Sequence, residues 1–91
     1  MNYIDMIVEN LREGLGQDDL GALPGFRIGK YGRILEVVAP NGLILTLIDT
    51  GVSLSLYTAH ADNFNDKRIV IGNLATVEAS NFIFGFIVAH L

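Results

Sequence analysis

The chain has 91 residues, enough for one domain and one small hydrophobic core. Apolar residues make up 51% of it and charged residues 18%, with a formal charge of −4 at pH 7, a balance that argues against a nucleic-acid backbone as partner, since that affinity comes from clustered Lys and Arg. There is no cysteine, which excludes a disulfide framework and a thiolate zinc site.

No apolar run approaches the roughly eighteen residues of a membrane-spanning helix. The opening MNYIDMIVENL carries acidic residues and no basic leader region. A cytoplasmic setting away from the membrane is therefore the expectation. A small sphere cannot hide this much apolar surface, so part of it is expected to face a partner or another copy.

Residues 2–13 place Tyr3, Ile4, Ile7, Val8 and Leu11 at helical spacing, with Asp5, Glu9, Arg12 and Glu13 elsewhere and a stop at Gly14 or Gly16. This predicts an amphipathic N-terminal helix. LGQDDLGALPG follows as a glycine-rich connection, with room for one helical turn from Asp18 to Leu23.

PGFRIGKYGR, residues 24–33, raises the question of a phosphate cradle. Such a loop needs G-x-x-x-x-G-K-[ST] leading into a helix. Here Gly25 stands only three residues before Gly29-Lys30, Tyr31 occupies the hydroxyl position, and RILEVVA beyond it reads as a strand. A hairpin is the better reading, with Phe26 and Ile28 alternating on one strand, GKYG turning, and Arg33 opening the next strand.

RILEVVAPNGLILTLID carries the clearest signal. Pro-Asn-Gly suits a type I turn closed by a left-handed glycine. It pairs Ala39 with Leu43, Val37 with Leu45, Leu35 with Leu47 and Arg33 with Asp49 on one face. The other face holds Val38 with Ile44, Glu36 with Thr46, and Ile34 with Ile48. VSLSLYT alternates strictly, with Val52, Leu54 and Leu56 inward and Ser53, Ser55 and Tyr57 outward, after a tight Thr50-Gly51 turn that sets its apolar side beside Leu45 and Leu47. AHADNFND reads as a polar loop and KRIVIG as another short strand.

Residues 76–91 fit two readings. As a helix they leave a narrow polar or small stripe of Glu78, Asn81, Gly85 and Ala89, with the rest buried, Phe82, Phe84 and Phe86 included. As a strand hairpin, EASN turns and FIFGFIVAHL runs as a central strand. The helix is favoured, because one N-terminal helix is too little cover for such a sheet. The fold class is thus α+β: an N-terminal helix, an antiparallel meander of about five short strands, and a closing C-terminal helix.

The chemistry-bearing residues form no recognisable motif. His60, Asp62 and Asp66 sit close in sequence, but a calcium loop starting at Asp62 would put Phe64 and Lys67 where an oxygen ligand and a glycine belong. Ser53 and Ser55 lie on a strand with no G-x-S-x-G elbow. No metal or other cofactor is expected, and catalysis is disfavoured. A small-ligand or enzymatic module built from Arg27, Lys30, Tyr31, Arg33, His60, Asp62 and Asp66 remains the alternative.

The leading expectation is an interaction module that first of all pairs with itself as a dimer. Its candidate surface is the second sheet face: Ile34, Glu36, Val38, Ile44, Thr46, Ile48, Ser53, Ser55 and Tyr57. Apolar and hydroxyl groups mix there as they do at interfaces. That surface is available only if the two helices do not pack on opposite faces of the sheet.

Overall fold

The computed structural model describes the backbone of residues 3–60 and 63–91, and the side chains of these residues except 60–71 and 73. Helix α1 (Tyr3–Leu15) opens the chain, and strands β1 (Arg27–Tyr31), β2 (Ile34–Val38), β3 (Leu43–Asp49), β4 (Leu54–His60) and β5 (Asn63–Leu74) precede helix α2 (Thr76–Ala89). The fold is α+β. Strands β1 to β4 form an antiparallel meander, and β5 joins it along β4. At twelve residues β5 is not a short strand. It absorbs its length through irregular pairing with β4, where the register shifts between Leu54 and Leu56, between Leu56 and Tyr57 and again between Thr58 and His60.

The central hairpin has the register that its turn and pattern require. Val37 faces Leu45, Leu35 faces Leu47, Glu36 faces Thr46, and Ile34 faces Ile48. The turn is closed by the Gly42 amide donating to the Ala39 carbonyl and the Ala39 amide donating to the Leu43 carbonyl, both at 2.9 Å. Gly42 sits at φ 89, in the left-handed region that favours glycine. The Asn41 side-chain oxygen accepts from the Leu43 amide, so the loop satisfies its own polar groups.

Two turns differ from their expectation. Between β1 and β2 the chain reverses at Gly32-Arg33, not at GKYG, because Tyr31 pairs with Ile34 and only a two-residue loop is left, with Gly32 at φ 60. Between β3 and β4 the turn runs from Thr50 to Ser53, held by the Thr50 amide on the Ser53 carbonyl and the Thr50 hydroxyl oxygen accepting from the Ser53 amide. Val52 therefore lies in the turn, 96% exposed, and not on the inward side of a strand. Leu54 and Leu56 do point into the core, with Leu56 opposite Leu47. The helical turn placed at 18–23 is a single 3-10 turn at Leu20–Ala22, capped by the Asp19 carboxylate accepting from the Gly21 amide.

Residues 76–89 resolve as helix. One hydrophobic cluster gathers Ile4, Ile7 and Leu11 of α1, Ala79, Ile83 and Ile87 of α2, and Leu35, Val37, Leu45, Leu47, Leu54 and Leu56 of the sheet. Both helices thus pack on the same sheet face. They run parallel: Asn10 donates from Nδ2 to the Ser80 hydroxyl, and one turn later Gly14 meets the Phe84 ring. The Ser80 hydroxyl donates on to the Thr76 carbonyl, so the polar pair between the helices is satisfied. No helix among the described residues is long and apolar enough to cross a membrane.

Two glycines are expected to respond with opposite sign. Gly42→Ala forces a side chain into φ 89 and should destabilise by about 1–2 kcal/mol. Gly85→Ala adds a Cβ that meets nothing within 4 Å, in a helix interior, and should stabilise by about 0.5–1 kcal/mol. Urea unfolding of the two variants checks both signs.

Candidate interaction surfaces

The strand pleat assigns side chains to faces. Leu35, Val37, Leu45 and Leu47 turn toward the helices, so their neighbours Ile34, Glu36, Val38, Ile44, Thr46 and Ile48 turn away. Ile48 pairs with Ser55 and Thr46 with Tyr57, which brings β4 onto the same face. Eight of the nine residues of the proposed surface are therefore assembled side by side; Ser53, in the β3–β4 turn, is the one left out.

Their exposure is uneven. Val38 and Ile44 are only 6% exposed and Thr46 is buried as well, although none of them belongs to the helix-side cluster. Ile34 is exposed, and Glu36, Ile48, Ser55 and Tyr57 are half-buried. The margin that meets water therefore lies toward β1, and Tyr31 extends it. Gly29 makes room for that ring: a Cβ at Gly29 would lie 2.6 Å from the Tyr31 hydroxyl oxygen.

The basic hairpin does not gather into a cradle. Lys30 turns to the helix side and pairs with Asp5 of α1. By the same alternation Arg27 and Tyr31 lie on the opposite face. Arg33 is in the turn, its guanidinium 2.8 Å from where a Cβ on Gly51 would stand. Backbone N–H groups converging on one point, which an anion site needs, do not arise from a strand with side chains leaving both faces.

AHADNFND is not an eight-residue loop. Strand β4 continues through His60 and β5 begins at Asn63, with those two residues paired. Asp62 lies outside the described residues, as do the side chains of His60 and Asp66. Among the described residues no three His, Asp or Glu side chains come together as a metal-binding group.

A second surface escaped the pattern reading, which buried all of the C-terminal helix apart from one narrow stripe. Val77 is 65% exposed and Val88 48%, and Phe84 is exposed beside them. Phe82 and Phe86 are half-buried against the core, so only two of the three phenylalanines behave as expected. Between α1 and α2 runs an open groove of about 360 Å³, lined by Asn10, Gly14, Val77, Ser80, Asn81 and Phe84. The 4-3-4 spacing of Val77, Asn81, Phe84 and Val88 sets them in one row along the helix. Burial could not be assigned from it, because α2 is apolar nearly all round and periodicity gives no facing direction without a polar side.

Gly29→Ala should displace Tyr31 from the sheet while changing stability by less than about 1 kcal/mol, because the ring is exposed and free to move. The Tyr31 ring resonances in an NMR spectrum should shift while those of Tyr57 hold.

Comparison with protein-family models, with curated proteins and with solved structures found no match to this chain.

Proposed function

We propose that the protein is a non-catalytic, cytoplasmic interaction module that associates with a second copy through the open sheet face. One observation carries this reading: both helices pack on the same side of the sheet, so neither covers Ile34, Glu36, Ile48, Ser55 and Tyr57. A two-fold axis through that face would lay like on like and bury the exposed Ile34 and Tyr31 margins of both copies. Tyr31 and Tyr57 bring an apolar body with a polar tip, which suits an interface that is dry at its centre and wet at its rim. Thr46, Ser55 and Glu36 add polar groups whose pairing would fix the register of the two sheets.

The burial pattern selects the variant that tests this. A charge at Ile44, which is buried, would unfold the sheet locally and confuse assembly with stability. Ile34 is 37% exposed, so Ile34→Asp strikes the surface at a smaller cost to the core than a charge at Ile44. Light scattering across a wide concentration range is expected to give a dimer for the wild type and a folded monomer for Ile34→Asp. A wild type that stays monomeric throughout, or a dimer indifferent to Ile34→Asp, would sink the sheet-face reading.

A further inference from the structure

The outward surface of the helix layer has the relief of a docking groove. On α2 the exposed Val77, Phe84 and Val88 stand out, Ser80 is buried at the floor of the groove, and the adjoining row Asn81, Gly85, Ala89 is low. Rows four residues apart are the ridges and grooves along which helices interlock. A Cβ on Gly85 would meet nothing within 4 Å. A glycine there lowers helix stability and serves no contact among the described residues, but it lets another backbone approach closely. From Val77 to Phe84 the groove follows α2 for about two helical turns, or some 10 Å, and Val88 stands one turn beyond it.

Among the described side chains, the charged residues directly next to the groove lining are carboxylates. Glu13 adjoins the groove-lining Gly14 and Glu78 adjoins Val77. Glu78 pairs with no cation among the described side chains; it accepts from the Ala75 amide at the start of α2. Arg12 is the only Lys or Arg on the two helices, and Glu9 engages it. The walls of the groove, Val77 and Phe84 facing Gly14, carry no charge at all.

From this relief and this charge we infer that the α1–α2 groove takes an amphipathic helix of a partner protein, with apolar residues at i, i+3, i+4 and i+7 and Lys or Arg at its flanks. The apolar row fills the groove along Val77 and Phe84 and runs on over the exposed Val88, and the basic flanks reach Glu13 and Glu78. A second copy of this chain is the poorer occupant: its own α2 is bordered by the same carboxylates, and like charges face each other across such a pairing. The inference stands on a different surface from the sheet-face reading and does not depend on it.

The test uses two labelled peptides of about fourteen residues. Both carry leucine at the stated spacing; one has lysine at every other position and one has glutamate. Fluorescence anisotropy against the full chain is expected to show the lysine peptide binding and the glutamate peptide at least about tenfold weaker. Val77→Asp and Val88→Asp should each weaken the lysine peptide by about tenfold or more, and because both positions are exposed either can stand in if the other fails to fold. Glu13→Gln with Glu78→Gln should cost about threefold and flatten the salt dependence, the Gln at 78 still being able to serve the helix start. Ile34→Asp should leave the peptide untouched.

Equal binding of the two peptides, no binding of either, or wild-type binding by both Val variants would overturn the inference. So would a wild-type dimer that Val88→Asp splits, since the groove would then hold a second copy. In contrast, a dimer split by Ile34→Asp with no peptide binding would leave the sheet-face reading standing and the groove inference fallen.

Discussion

The pairing of β2 with β3 is the constraint on which the rest of the molecule hangs. It sets Leu35, Val37, Leu45 and Leu47 on one face in a continuous aliphatic patch, and a slip of one residue would send all four to the other side. Both helices bury their apolar faces there, and Leu54 and Leu56 extend the same patch along β4. No other surface of the sheet is uniformly aliphatic: the opposite face is broken by Glu36, Thr46, Ser55 and Tyr57.

Placing both helices on one side makes the molecule two-layered and asymmetric. The helices meet side by side through one polar contact, Asn10 on Ser80, and one apolar contact, the Phe84 ring in the space left by Gly14. The ion pair between Lys30 and Asp5 anchors α1 over the edge strand, beyond the reach of the central aliphatic patch. An exposed pair of this kind contributes little energy but does fix where the helix lies. Buried side-chain polar atoms are all matched among the described residues, the Asp49 carboxylate accepting from the Gly51 amide at the end of β3.

Such an arrangement leaves apolar groups on two opposite surfaces for different reasons. The β1-side margin of the sheet's outer face is left over by topology, since neither helix comes back across it, whereas Val38, Ile44 and Thr46 on the same face are buried. The outer side of α2 is left over by geometry, because a helix lying on a sheet can bury only one stripe and this helix has apolar residues on more than one. Each surface is bordered by polar groups able to orient a partner, hydroxyls on the sheet and carboxylates on the helices.

Much of this was written locally. The Pro-Asn-Gly turn and the alternation on either side of it specified the central register, and the spacing of Ile4, Ile7 and Leu11 specified α1, because both signals act over a few residues of backbone geometry. The position of Val52 and the point of reversal at Gly32-Arg33 were not determined in this way: alternation continues through a turn on paper, while cross-strand pairing decides where a strand begins. The polar letters of AHADNFND suggested a loop, yet the pairing of His60 with Asn63 keeps that stretch largely in strand. The sequence by itself determined which residues alternate and which repeat at helical spacing. Only the tertiary structure decided that both helices share one face, and hence which surfaces remain, because that choice depends on how much aliphatic area each side of the sheet offers once all strands are in place.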